Sequence, residues 1–269
     1  MKASLLFFIF IAACGVPLCA QEKVHPTGYT DTPQLPNAKW KVHDDARPRP
    51  AVVTPGKTDS APPSDALVLF DGKDLAQFRK ADGSAANKPI AEAAFAATST
   101  DLSHAGDIFT REEFGDCQLH IEWQTPNPPQ SNSQHRGNSG IFMMNRYEIQ
   151  VLDCHDNKTY ADGQAGSIYG EIPPMVNAMR PPGEWQTNDI IWEAPRFEGE
   201  KLTRPARVTI FHNGVCVQHA AEPFGPTGHR SVQLYKSHPP KAPIRIQDHK
   251  DLPSVKYRNI WIRPIKPAE

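Results

Sequence analysis

The residues best suited to chemistry by type and spacing are Glu148, Gln150 and Asp153, which stand at positions i, i+2 and i+5 of one short segment. Alternate side chains of a strand share a face, so we expect Glu148 and Gln150 on the face opposite their apolar neighbours. Two carboxyl groups about 5–5.5 Å apart can cleave a glycosidic bond with retention. Asp153 has one methylene less reach than a glutamate, which favours Glu148 as a lone acid or base and leaves Asp153 as a further catalytic candidate. An edge strand with one solvated face gives the same pattern.

Other polar residues of the chain can complete such a site. His249 lies in a polar turn, Gln247 to Asp251, and is the second candidate for a general base. Each candidate also has a purely structural interpretation, as an ion pair, a solvated turn residue or a core aromatic. The candidates for binding a substrate are Gln150, Arg146, Tyr169, Glu122 and Gln247.

The sequence predicts no metal and no cofactor. Asp153, Cys154, His155 and Asp156 have the side chains of metal ligands, but consecutive residues point to different sides and rarely chelate together. The cysteine spacing matches no zinc pattern. No glycine-rich dinucleotide fingerprint occurs, so NAD binding of that kind is not expected.

Short strands must position these residues. An apolar segment, Ile141 to Met144, turns at Asn145-Arg146 and returns as Tyr147 to Asp153. A second hairpin is predicted over residues 207–219, because Asn213-Gly214 suits a type I′ turn between two alternating segments. Many short strands, long loops and few helical patterns favour an all-β, antiparallel two-sheet sandwich.

The gross composition narrows the class of protein. The chain has 269 residues, with 29 lysines and arginines against 30 acidic residues, which argues against a nucleic-acid partner.

Residues 1–20 are predicted to form an export signal, since Lys2 precedes an apolar run too short to span a bilayer. Alternatively, a lipoprotein signal ends before Cys14, which would be lipidated. Residues 21–65 are proline-rich and predicted as an extended arm, and residues 66–265 as one domain. We therefore expect an extracytoplasmic protein, periplasmic or secreted, with a lipid anchor as the one membrane contact.

Several segments together resemble the 3-keto-disaccharide hydrolase domain, a family long catalogued only as a domain of unknown function. The resemblance covers about residues 66–265, and the order and spacing of the motifs are specific. It implies a concanavalin A-like jelly-roll sandwich of two antiparallel sheets with long loops, and a role in extracytoplasmic sugar metabolism. The matching segments are LFDGKDL at 69–75, NSGIF at 138–142, YEIQVLD at 147–153, NGV at 213–215, IRIQDH at 244–249 and YRNIWI at 257–262.

The same resemblance implies an activity on 3-keto glycosides. A separate sugar oxidoreductase would produce these substrates by installing the keto group. The keto group acidifies the C2 proton, so the C1 aglycone can leave by elimination and water can then add. This reaction needs one base, one acid and one oxyanion donor, and Glu148 or His249 would be the base. Gln150, Arg146 or Tyr169 would hold the carbonyl or the hydroxyls. Residues 148–153 also look like the E-x-D-x-x-E signature of laminarinase-type glycosidases, from which Gln150 and Asp153 depart. A laminarinase-type glycosidase and a non-catalytic carbohydrate-binding module remain alternatives.

Overall fold

The computed structural model describes residues 25–86, the backbone of 95–96, and residues 106–251 and 253–265. The predicted export signal and Cys14 lie outside the described residues. The chain divides into two compact units, Met1–Val52 and Val53–Glu269. Within the first unit, the described residues make two isolated bridges, Tyr29 with Asp44 and Gln34 with Lys41. In the part of the chain that the structure describes, no helix has the length and apolarity to cross a bilayer.

The described residues of the second unit form fourteen strands, which pair antiparallel in two main sheets and one ribbon. One sheet has the order β1-β14-β5-β8-β11-β12, with β3 also paired to β14, and the other has the order β2-β4-β13-β6-β7. Strands β9 and β10 form the ribbon. The strands are β1 (Leu67–Phe70), β2 (Phe78–Lys80), β3 (Phe95–Ala96), β4 (Ile108–Thr110), β5 (Cys117–Gln124), β6 (Ser139–Met143), β7 (Tyr147–Val151), β8 (Trp185–Glu193), β9 (Arg196–Glu198), β10 (Lys201–Arg204), β11 (Arg207–His212), β12 (Val215–Ala221), β13 (Arg245–Ile246) and β14 (Lys256–Pro264).

The hydrophobic core lies between the two main sheets. Tyr147 of β7 packs on Trp192 of β8 with ring centroids 5.1 Å apart, which joins the five-stranded sheet to the seven-stranded one. The hydroxyl of Tyr257 on β14 donates to Ser139 Oγ on β6 over 2.7 Å, so this polar contact between the sheets is satisfied where it is buried. Burial of the inward-facing side chains of both sheets stabilises the sandwich, and the predicted all-β, jelly-roll type of architecture is confirmed.

Both predicted hairpins are present. β6 pairs with β7 from Ser139–Val151 to Met143–Tyr147. β11 and β12 meet at a turn in which Asn213 and Gly214 have φ values of 51° and 80°. Positive φ at both positions defines the type I′ turn that the Asn-Gly pair predicts, because glycine adopts it without strain and asparagine with little.

The residues just before β1 lie against the seven-stranded sheet. The carbonyl oxygen of Ser60 accepts hydrogen bonds from Asn259 Nδ2 at 2.8 Å and from Trp261 Nε1 at 2.9 Å. Residues 53–65, the second part of the predicted arm, belong to the same compact unit as the sandwich.

Candidate active site

A row of side chains crosses the outer face of the five-stranded sheet and ends at Glu148. Cross-strand pairing places Phe109 of β4 opposite Arg245 of β13, Arg245 opposite Phe142 of β6, and Phe142 opposite Glu148 of β7. Directly opposed residues share a face, so these four side chains line one side of the sheet. The guanidinium carbon of Arg245 lies 3.5 Å from the centroid of the Phe142 ring. The apolar residues next to them on each strand, such as Ile141, Ile149 and Ile246, face the core instead.

Gly140 leaves space next to this row. It pairs with Gln150 in the β6–β7 register, two residues along each strand from the Phe142–Glu148 pair and on the same face. A Cβ at Gly140 would collide with Glu148 Oε1 and would come within 2.8 Å of Phe142 Cε2. The absence of a side chain here therefore leaves the space that the Glu148 carboxyl occupies.

A cavity of about 250 Å³ opens above Glu148 and Phe142. It brings together five of the residues predicted to form the site. The others come from β6, from the loop before it and from the loop between β12 and β13. The residues that line it are Asn138, Phe142, Glu148, Gln150, Tyr169, Thr227, Gly228, His229, Gln247 and His249.

Glu148 is the one carboxylate among the described residues that line this cavity. The residue is 7% exposed, and burial raises the pKa of its carboxyl from 4.5 to about 8. The positive charge of Arg245 opposes that rise, and the negative charge of Asp107 adds to it. Among the described residues, none donates a hydrogen bond to the Glu148 carboxyl. A carboxyl group with such a pKa exchanges protons near neutral pH and can serve as a general base or acid.

Gln150 presents an unpartnered acceptor. Its Nε2 donates to Gln134 Oε1 at 3.0 Å and to Asn138 Oδ1 at 3.4 Å. The amide of Gln134 is oriented by donation to the carbonyl of Gly163, and that of Asn138 by donation to the Gln134 carbonyl, because carbonyl oxygens only accept. Gln150 Oε1, and also Gln247 Oε1, are buried with no partner among the described residues. Both oxygens can accept hydrogen bonds from ligand hydroxyls.

Tyr169 separates this cavity from a second one of about 460 Å³. Its hydroxyl lies 2.7 Å from the hydroxyl of Tyr160 and 3.0 Å from Nδ1 of His229, and Tyr169, Gly228 and His229 line both cavities. Burial raises the pKa of Tyr169, and the hydrogen bond to Tyr160 and the charge of Glu148 raise it further. The hydroxyl therefore stays protonated and can donate at the boundary between the two cavities.

His249 is held at the rim of the cavity by a carboxylate. Its Nδ1 lies 2.7 Å from Oδ2 of Asp251. The other oxygen of that carboxylate lies 3.4 Å from Nδ1 of His135. Since Asp251 engages Nδ1, Nε2 is the His249 nitrogen left for a substrate.

Asp153 lies outside the cavity. Strand β7 ends at Val151, so the alternation that places Glu148 and Gln150 does not extend to this position. The Asp153 carboxylate is buried in an ion pair with Arg136, with Nε 2.8 Å from Oδ2. It holds the loop before β6 against the end of β7, and the geometry gives it a structural role.

Two further predicted residues also lie elsewhere. Glu122 belongs to β5 of the seven-stranded sheet, where it accepts from Arg258 Nε at 2.6 Å and Asn259 Nδ2 at 2.8 Å. Arg146 lies in the β6–β7 turn, and its Nη1 donates to the carbonyl of Met144 at 3.0 Å. Neither side chain lines the cavity.

The remaining cavity residues had only weak signals in the sequence. Asn138 and Phe142 stand in the segment that carries the family resemblance, and alternation alone separates Phe142 from Ile141. Thr227 and His229 come from a long irregular loop. Thr227 Oγ1 accepts from the Glu148 backbone N–H at 3.0 Å and donates to the Arg146 carbonyl at 3.2 Å, which anchors that loop beside β7.

Solved structures with the same fold are known. A candidate glycosyl hydrolase from Parabacteroides distasonis is 41% identical, with a TM-score of 0.77 over 90% of this chain and 100% of its own. A second candidate glycosyl hydrolase from the same organism is 17% identical, with a TM-score of 0.52 over 75% of this chain and 94% of its own. A third is 20% identical, with a TM-score of 0.51 over 74% of this chain and 99% of its own. Both show the fold alone. No curated protein matches the sequence. The family model of the 3-keto-alpha-glucoside-1,2-lyase-like domain matches residues 65–263, which confirms the resemblance seen in the sequence, and the chain belongs to that family.

Proposed function

We propose that this protein is a glycan-active enzyme that cleaves the C1 glycosidic bond of 3-keto glycosides by elimination and hydration. Family membership and the 41%-identical candidate glycosyl hydrolase support activity on a carbohydrate. The observation that supports the finer proposal is Glu148, the one carboxylate among the described residues that line the cavity, with a pKa raised to about 8. It lies beside acceptor oxygens that have no partner among the described residues.

The first step is proton abstraction by Glu148. The ionised carboxylate takes the C2 proton, which the C3 carbonyl acidifies, and the electron pair moves onto the C3 oxygen as an enolate. The enolate collapses, the C1–O bond breaks, and a C1=C2 double bond forms. Tyr169 donates a proton to the departing oxygen, in keeping with its protonated hydroxyl beside Glu148.

Water addition completes the reaction. A water molecule adds its oxygen to C1 and gives one proton back to the Tyr169 phenolate, while Glu148 returns the abstracted proton to C2. The net change is hydrolysis of the glycosidic bond, with both side chains restored. No covalent sugar–enzyme intermediate is needed. Gln150 Oε1 and Gln247 Oε1 accept hydrogen bonds from sugar hydroxyls, and His249 is the second candidate base through Nε2.

The leaving group occupies the larger cavity. A keto sugar in the 250 Å³ cavity would direct its C1 substituent past Tyr169, since Tyr169, Gly228 and His229 belong to both cavities. The aromatic ring of Tyr160 and the polar groups of Asp162 and Arg230 line the second space. An amphipathic group such as a second sugar ring suits that mixture.

The site disfavours an ordinary retaining glycosidase. That reaction needs two carboxyl groups about 5–5.5 Å apart, and the cavity offers one among the described residues. Asp153, the candidate partner, is engaged by Arg136 outside the cavity. A non-catalytic binding module would need no group of shifted pKa, and the experiment below separates it from an enzyme.

The proposed setting is extracytoplasmic, as the N-terminal sequence predicts. A separate sugar oxidoreductase would install the keto group at C3, because this chain carries no glycine-rich dinucleotide fingerprint.

Paired substrates test the proposal. The purified protein is incubated with a chromogenic glucoside and with the same glucoside oxidised at C3, and free aglycone is measured. We expect release from the oxidised sugar, loss of that release in Glu148→Gln, and retention in Glu112→Gln, which changes an exposed glutamate in the same way. Equal release from both sugars would show a conventional glycosidase. Binding of the keto sugar without any release would show a binding module.

A further inference from the structure

Two imidazoles and one carboxylate converge at the edge of the cavity. His135 ends the 3-10 turn Ser133–His135, whereas His249 and Asp251 follow β13 more than a hundred residues later. The two oxygens of Asp251 each face one ring, at 3.4 Å from His135 Nδ1 and 2.7 Å from His249 Nδ1. Ligand atoms of all three residues lie within 4.8 Å of one another, and the two ring centroids are 6.0 Å apart.

This donor set suits a first-row divalent cation. Imidazole nitrogens and one carboxylate oxygen at about 2.0–2.2 Å from an ion are the ligands of many zinc and cobalt sites. Tetrahedral ligands at that distance lie roughly 3.4 Å from one another. Here the two Asp251 contacts are 2.7 and 3.4 Å, and all three ligand atoms lie within 4.8 Å, so small side-chain shifts would bring them to that spacing. The His135 side chain is 70% exposed, so an ion can reach the cluster from solvent, and water can complete its coordination.

The segment Asp153–Asp156 provides a comparison within the same chain. There His155 Nδ1 lies 3.7 Å from Asp156 Oδ2, and the Asp156 side chain is almost fully exposed. No third ligand among the described residues joins that pair. This pair therefore serves as the control for a histidine–aspartate contact that lacks a third ligand.

We propose that His135, His249 and Asp251 bind a divalent cation of the zinc or cobalt type. The ion would clip the turn at 133–135 to the loop at 247–251 and would fix His249 at the cavity rim. Because coordination through Nδ1 leaves the proton on Nε2, the bound ion would make His249 a hydrogen-bond donor toward the cavity instead of a base, and Glu148 would remain the base. The cluster would bind the ion whether or not the cavity takes a keto sugar.

Cobalt titration tests the site without any substrate. The full chain is stripped with a chelator and titrated with CoCl₂ while its visible absorption and its bound cobalt are measured. We expect one ion per chain with the bands of a nitrogen- and oxygen-ligated Co²⁺. His135→Ala and Asp251→Asn should each weaken binding about tenfold or more, whereas His155→Ala should leave it unchanged.

Thermal melting of the same proteins with and without CoCl₂ provides the second readout. The wild-type protein and His155→Ala should melt higher with the ion, since a ligand that binds the folded state stabilises it. The two cluster variants should fold with the wild-type circular dichroism and lose the rise. Absence of saturable cobalt binding, or equal binding in all four proteins, would overturn the proposal.

Discussion

Ionisation of the buried Glu148 carboxyl lowers the free energy of unfolding by an amount that depends on pH, and Glu148→Gln should remove this cost. Burial raises the pKa of this carboxyl to about 8 in the folded protein, from 4.5 for an ordinary glutamate. The folded state therefore binds the proton more tightly than the unfolded state. The associated stability is fully present below pH 4.5 and is lost as the pH rises toward 8.

The size of the effect follows from the two pKa values. A shift of about 3.5 units corresponds to roughly 4–5 kcal/mol at most, at about 1.4 kcal/mol per unit. The cost of ionising Glu148 is about 1 kcal/mol at pH 5 and about 5 kcal/mol at pH 9. Glutamine has nearly the same shape and does not ionise, so the variant should gain about 4 kcal/mol over wild type between these two pH values.

Urea unfolding at pH 5, 7 and 9 measures this difference. The free energies of unfolding of wild type and Glu148→Gln are compared at each pH, which cancels any constant cost of the buried amide. Glu112→Gln, at an exposed glutamate, is the matched control, and the pH-dependent gain is expected for Glu148 alone. A difference between wild type and Glu148→Gln that stays flat from pH 5 to pH 9 would refute the raised pKa.

Four other predictions follow from the same geometry. On a 3-keto glucoside, kcat/KM should rise about tenfold from pH 7 to pH 9, because the ionised fraction of Glu148 rises from about 10% to about 90%; a flat profile argues against an ionised Glu148 as base. Gly140→Ala should lower kcat at least tenfold by displacing the Glu148 carboxyl, and unchanged turnover would show that this position does not matter. Asp153→Asn should cost about 3–5 kcal/mol of stability by leaving Arg136 unpaired, with KM retained in the folded protein; loss of turnover without loss of stability would restore Asp153 to the catalytic site. Glu122→Gln should likewise lower the melting temperature and leave kcat/KM unchanged, which steady-state kinetics on the folded protein can check.

The part of the site that regular alternation fixes could be predicted from the sequence. Tyr147, Ile149 and Val151 face the core, and Glu148 and Gln150 face the cavity, because a strand has a period of two. The Asn213-Gly214 turn was equally predictable, since few residue pairs accept positive φ at both positions.

Alternation says which residues share a face, but it does not say which sheet a strand joins. Glu122 alternates with Trp123 as regularly as Glu148 does with Tyr147, yet β5 lies in the seven-stranded sheet and Glu122 is paired with Arg258. Asp153 follows the end of β7, where the strand period no longer applies.

The site contacts that could not be predicted depend on long-range strand pairing and on irregular loops. Arg245 meets Phe142 because β13 inserts between β4 and β6, a strand order that no local pattern encodes. His229 belongs to a loop without periodicity, and His135 approaches Asp251 across more than a hundred residues. Such contacts depend on how the sheets close, which the sequence specifies only through the whole core.

Deuterium at C2 tests the central role of Glu148 most directly. Aglycone release is measured from a 3-keto glucoside with hydrogen or deuterium at C2, in the wild-type enzyme at a pH where Glu148 is ionised. A normal primary isotope effect on kcat/KM, together with loss of release in Glu148→Gln, is the predicted result. Equal rates for the two isotopologues and undiminished release in the variant would contradict proton abstraction by Glu148.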